Sequence, residues 1–220
     1  MATRHLLADL VAAFSGTFPN ADVSIESTGG VEAARRVAAG EPFDGVVLAA
    51  GALEALIAQG HVIAGSRVDV VQSPMAMAVR TGAARLPVDT EDAVTRAVLS
   101  APRIGYSTGP SGDHLLALFE RWGIAAIVKD RLVQARPGIP VASLVATGQV
   151  DLGFQQLSEL LRVDGVEVIG LLPEAIQGTT TFSAGVARTS TQVERVRELL
   201  AFMGSPAVAA IKRSHGMEPA

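Results

Sequence analysis

The chain of 220 residues contains no cysteine. Disulfides, thiolate nucleophiles and cysteine-based metal sites are thereby excluded. Aromatic residues make up only 4%, so Ala, Val, Leu and Gly must do most of the packing. No apolar run approaches the roughly 20 residues that span a bilayer as a helix, and no direct membrane insertion is expected. There is no basic run, and the formal net charge is −4. Nucleic-acid backbones are bound by clustered Lys and Arg, so no nucleic-acid partner is expected. Lysine is scarce among the 18 basic residues, at Lys129 and Lys212 alone. Genomic base composition accounts for that bias, and so does a use for arginine forks on carboxylates. Composition does not choose between them. "MATRHLLADLV" lacks a long apolar core before a cleavage site, so no signal peptide is read there.

What is present is a pattern. Apolar residues make up 49% of the chain, enough for a sizeable core. "HLLADLVAAF" sets Leu6, Leu7, Leu10, Val11 and Phe14 on one helical face, with Thr3 as a candidate cap. "ADVSIES" alternates like a strand, and "VEAARRVAAGE" reads as a helix ending at Gly40. "FDGVVLAA" is a continuous apolar run, expected to be a strand buried on both faces. "GALEALIAQG" is a short helix closed by Gly60. "SRVDVVQSPMAMAVRTG" reads as two extended pieces broken at Pro74. Thr90 is a candidate cap for "TEDAVTRAVLS". Further along, "RIGYST", "VDLGFQQ" and "GVEVIGLL" read as strands, with helices at "SGDHLLALFERWG", "VASLVATG", "TQVERVRELLAFMG" and "PAVAAIKRSHG".

Strands alternating with helices predict an α/β protein with mainly parallel sheets. Two extended crossings, near residues 75–79 and 180–185, predict two lobes joined by two strands. One lobe is expected at residues 1–78 plus 184–220, the other at 79–183.

Two stretches have the composition of anion loops. In "YSTGPSGDHLL" a strand feeds a glycine-containing turn and a helix that starts near Ser111. The first turn of a helix has unpaired N–H groups and a partial positive charge, hydroxyls add donors, and glycine admits close approach. An ordinary strand–helix turn capped by Ser111 fits the same residues. "ESTGGVEAA" repeats the design at Ser27 and Thr28. Arg136 in "QARPGIPVASLVATG" stands two residues ahead of Gly138 and is read either as a cleft residue or as a surface arginine. Gln155 and Gln156 end a buried-looking strand, and only one of them can face a cleft. Four histidines, His5, His61, His114 and His215, form no pair at ligand spacing, so neither metal nor cofactor is expected. His114 sits in the turn after "GPSG" and is read either as a base or as a solvent-facing residue. Glu26 and Glu54 have no recognisable partner.

These residues resemble the type II periplasmic solute-binding proteins, in the molybdate-binding-protein-like branch that includes aconitate-isomerase-like members. The resemblance covers nearly the whole chain. It runs through "FDGVVLAAGALEALIAQGHVIAGSRVDVV", "IGYSTGPSGDHLLALFERWGI", "LVATGQVDLGF" and, most specifically, "LLAFMGSPAVAAIKRSHGMEPA". It implies a two-lobed fold in which an oxyanion is held between the lobes at helix N-termini. The implied ligand residues are Ser27, Thr28, Thr108, Pro110, Ser111 and Gly112. Gln156 stands where molybdate binders usually have a tyrosine, and Arg136 adds a full positive charge. Both departures favour a carboxylate over a tetrahedral oxyanion, because a guanidinium fork matches two planar oxygens. The family also begins with a strand before its first helix. Its absence from "MATRHLL" suggests a start placed too late, which would put Thr3 and Arg4 in the first strand–helix loop.

Two functions follow from the resemblance. One is a solute-binding protein that holds a small anion for ABC-type uptake, with transporter membrane subunits as partners. The other is an isomerase that moves a C=C double bond in an unsaturated di- or tricarboxylic acid, with His114 as the candidate base. The chain as written is expected in the cytoplasm, or in the periplasm if its true start lies upstream.

Overall fold

The computed structural model describes residues 2–220. In chain order the strands are β1 (Gly45–Ala49), β2 (Val68–Arg80), β3 (Ile104–Tyr106), β4 (Leu132–Gln134), β5 (Leu152–Gln156), β6 (Val166–Leu171), β7 (Thr179–Val186) and β8 (Glu218–Pro219). The helices are α1 (Arg4–Thr17), α2 (Gly30–Ala38), α3 (Ala50–Ala58), α4 (Glu91–Ser100), α5 (Pro110–Arg121), α6 (Ala125–Val128), α7 (Val141–Ala146), α8 (Leu157–Leu160), α9 (Val193–Gly204) and α10 (Ala209–Ser214). The chain divides into two compact units, Met1–Ser73 with Thr180–Ala220, and Pro74–Thr179.

In the first unit β1 pairs antiparallel with β7, Gly45 opposite Val186, and β2 pairs antiparallel with β8 through Val71 and Gln72. One core gathers Leu6, Leu10, Val70, Val71, Ala184, Val186, Leu200 and Met203; a second gathers Val46, Leu48, Leu53 and Leu56. The alternation that predicted a strand in "ADVSIES" forms none. Residues 21–29 carry no strand assignment, and Ile25 stays 40% exposed. A period of two makes a strand only where a neighbour supplies the other half of the ladder, and no described strand pairs with this stretch.

In the second unit β3 pairs in parallel with β4 and β5, while β2 pairs antiparallel with β5 and β6. The pairings described are thus mixed rather than mainly parallel. Parallel ladders are confined to the strands linked by helical crossovers, which is where such connections are needed. Pro74 does not break β2 into two pieces: the strand runs through it from Val68 to Arg80, beside β7. Residues 71 and 72 pair with β8, and pairing with β5 begins at Met75. A proline lacking its N–H is tolerated there.

The register also settles the faces of this sheet, since directly opposed residues point the same way. Met75 opposes Gln156, Ala76 opposes Gln155 and Met77 opposes Phe154. Met75, Met77 and Phe154 join the core formed with Val94, Val98, Leu115 and Phe119 on the α4 and α5 side. Ala76 and Ala78 pack with Ala142 and Leu160 on the α7 and α8 side. Gly153 lets α7 lie close, since a Cβ there would stand 2.5 Å from Val145.

Candidate functional site

The parallel order β5-β3-β4 lines up three carboxyl ends, and each feeds a helix: α8, α5 and α7. Open α/β sheets bind their ligands beyond such ends. The loop after β3 is the most built of the three. Ser107 Oγ lies 2.9 Å from Ser111 Oγ, and Gly109 N–H donates to Ser107 Oγ at 3.3 Å. Helix α5 opens from Gly109 with Pro110 in its first turn and no side-chain cap. The expected cap, Ser111, therefore turns instead toward Ser107. Ser111 is buried and Thr108 exposed. A Cβ on Gly112 would lie 1.9 Å from the Ser107 carbonyl oxygen, so only glycine permits this loop.

Next to it, Ala135 N–H donates to the Tyr106 carbonyl at 2.8 Å, which fixes the chain just before Arg136. Arg136 is exposed. Its side chain has no hydrogen bond or ion pair among the described residues. With Gln134, Ile139, Ser143, Leu144 and Thr147 it lines an open groove of about 460 Å³. No residue of the 107–112 loop lines that groove.

Gln155 and Gln156 separate as alternation requires. Gln156 shares the face of Met75, and Gln155 that of Ala76. Gln155 is buried, and its Oε1 accepts from Ala142 N–H at 3.3 Å, in the first turn of α7. Burial pushes the carboxyl of Glu159, one turn on, above the usual carboxylate range. Sequence reading missed Glu159, although the i, i+4 spacing from Gln155 in "FQQLSEL" was the available signal. It likewise gave Ser107 no role, although the same spacing relates it to Ser111.

His114 is not simply solvent-facing. It is half-buried, and its Nε2 lies 2.9 Å from the Ile176 carbonyl oxygen. A carbonyl only accepts, so Nε2 is the donor in this bond. A Cβ on Gly178 would come within 2.5 Å of this imidazole.

The remaining sequence candidates lie in the first unit. Thr3 is buried at the start of α1 without a side-chain cap bond, so it does not cap the helix in the expected way. Arg4 is exposed. Ser27 is exposed and Thr28 half-buried, just before Gly29 opens α2. Glu26 and Glu54 do have partners: Arg36 at 2.6 Å, and Arg67. Among the described residues no group of three or more His, Cys, Asp or Glu side chains is placed to hold a metal ion.

A helix-flanked α/β sheet of this kind is that of the type II periplasmic binding proteins. Residues 1–218 match the family described as bacterial extracellular solute-binding protein, and the chain belongs to it. Aconitate isomerase from Pseudomonas sp is 37% identical over 187 residues, covering 84% of this chain and 70% of that relative. Among solved structures, the Azotobacter vinelandii periplasmic molybdate-binding protein has a TM-score of 0.80 at 20% identity, covering 98% and 94% of the two chains. The tungstate ABC transporter structure from Geobacter sulfurreducens has a TM-score of 0.75 at 16% identity, covering 96% and 92%.

Proposed function

We propose that this protein binds a small organic anion bearing carboxylates, and serves as a solute-binding protein that delivers it to ABC-type membrane subunits. The observation that carries the reading is the 107–112 loop. Two serine hydroxyls 2.9 Å apart stand at the open start of α5. Hydroxyls and first-turn N–H groups hold an anion without a fixed positive charge. Thr108, Pro110 and Gly112 belong to the same loop, and Gln156 ends the neighbouring strand. Arg136, with no partner of its own, supplies a planar fork for a second carboxylate. A carrier of this kind works outside the cytoplasmic membrane.

A second reading has its own support. His114 commits Nε2 to the Ile176 carbonyl, which leaves Nδ1 as its nitrogen for proton transfer, and the 37% identical relative is an aconitate isomerase. On this reading His114 removes an allylic proton from an unsaturated tricarboxylate. The double bond shifts, and the proton returns at the other carbon. Helix N–H groups and Arg136 stabilise the intermediate charge.

Calorimetric titration with trans-aconitate, cis-aconitate and molybdate tests the first reading, and proton NMR of the same mixtures tests the second. Binding of an aconitate without interconversion supports the carrier. Interconversion of the isomers supports the enzyme. Binding of molybdate alone overturns both.

A further inference from the structure

Residues 136–139 form a closed turn. Ile139 N–H donates to the Arg136 carbonyl at 2.9 Å, with Pro137 and Gly138 between them. Gly138 has φ 81°, which a type II turn requires at its third residue and which favours glycine, while proline suits the second. The turn brings Arg136 and Ile139 to neighbouring places, and both are exposed, Ile139 to 47%. A guanidinium fork and an apolar side chain are thus presented together by a short, stiff turn.

That turn opens onto the groove of about 460 Å³ beside α7, a volume within the range of small-molecule sites. β4 lines it as the last strand of its sheet, pairing with β3 alone among the described strands. Val133 and Leu144 add apolar wall. The hydroxyls there are already spent: Ser143 Oγ donates to the Pro140 carbonyl at 2.7 Å, and Thr147 Oγ1 to the Ser143 carbonyl at 2.8 Å. No Asp or Glu lines the groove. Arg136 is its one charged donor, and the walls beyond it suit a carbon chain rather than a polyhydroxylated one.

The groove and the anion loop start from the same pair of strands. Gln134 opposes Tyr106, and Ala135 N–H reaches the Tyr106 carbonyl. Ser107 and Arg136 are the next residues out, on strands whose spacing is about 5 Å. Yet the guanidinium turns into a groove that no residue of the 107–112 loop lines. A compact acid held by that loop leaves Arg136 unused.

We propose that the ligand is an extended di- or polycarboxylate. One carboxylate rests on the 107–112 loop, a second on Arg136, and the carbon chain lies against Ile139 at the mouth of the groove. The inference deepens the carboxylate reading and rests on it.

The test is calorimetry with malonate, glutarate and pimelate, which carry the same two carboxylates on chains of increasing length, and with trans-aconitate. Wild-type protein should bind pimelate at least about tenfold more tightly than malonate, since each methylene buried on the groove wall is worth about fourfold. R136A and I139S should each cut that ratio severalfold, R136A by about tenfold, the loss of one charged hydrogen bond. Both side chains are exposed, so circular dichroism should show both variants folded. Malonate bound as tightly as pimelate, a ratio that neither variant changes, or trans-aconitate bound where pimelate is not, overturns this proposal alone. No binding of any of the four acids overturns the carboxylate reading and this proposal with it.

Discussion

His114 and Ile176 are 62 positions apart, and the His114 imidazole donates to the Ile176 backbone carbonyl at 2.9 Å. The bond ties the first turns of α5 to the segment that leads into β7. Gln177, the next residue, clasps the Met75 backbone. Its Oε1 accepts from Met75 N–H at 2.8 Å, and its Nε2 donates to the Met75 carbonyl at 3.2 Å. His114→Gln keeps a donor within reach of the Ile176 carbonyl but removes the basic Nδ1. Its stability to urea should fall by about 1 kcal/mol or less, the size of one neutral hydrogen bond. Ligand binding should persist. Any isomerisation should fall by 100-fold or more, the usual contribution of a general base; NMR of the aconitate mixture measures it.

Gly112→Ala forces a methyl group to within 1.9 Å of the Ser107 carbonyl oxygen. The loop must move, and with it the Ser107–Ser111 pair. Affinity should drop by at least about tenfold, the equivalent of one lost hydrogen bond to a charged group. Far-UV circular dichroism should be unchanged, because the clash is confined to the turn. Parallel calorimetry of the two proteins checks both expectations.

Arg136→Ala should weaken a carboxylate ligand by more than about 1 kcal/mol and leave stability unchanged, since the guanidinium has no partner to lose. Equal affinity for the variant and the wild type would remove Arg136 from the site and leave it to the groove beside α7.

Lys212 is a liability of the first unit. Its side chain is fully buried, and Nζ has no hydrogen-bond partner. Burial lowers the ammonium from its ordinary value. A cation lowered in the folded state costs stability below its folded pKa, and the cost fades as pH rises toward the unfolded value. Lys212→Met should therefore stabilise the protein by about 1–3 kcal/mol at neutral pH, the scale of an unsatisfied buried donor. The gain should shrink toward pH 10. Urea unfolding at pH 6, 8 and 10 measures the trend.

The helices and buried strands were legible because their signals are local. Apolar spacing gave α1, α5 and α9, Thr90 does accept from Ala93 N–H at 3.1 Å, and the apolar run "GVVLA" gave β1. The family resemblance was legible in whole segments. What was not legible depends on partners distant in sequence. Residues 22–26 alternate as a strand should, yet no described strand pairs with them. Residues 132–134 carry little pattern but become β4 through pairing with β3. Pro74 reads as a break, yet β2 runs through it from Val68 to Arg80. In the site, the hydroxyl and glycine composition of the 107–112 loop stood out, because it is contiguous. The separate facing of Gln155 and Gln156 needed the register against β2.

The account rests on an anion held at the start of α5, and a crystal structure with trans-aconitate tests that most directly. The predicted result places a ligand carboxylate within hydrogen-bonding distance of Ser107 Oγ, Ser111 Oγ and the first-turn N–H groups of α5. Ligand bound elsewhere, with that loop untouched, would contradict it.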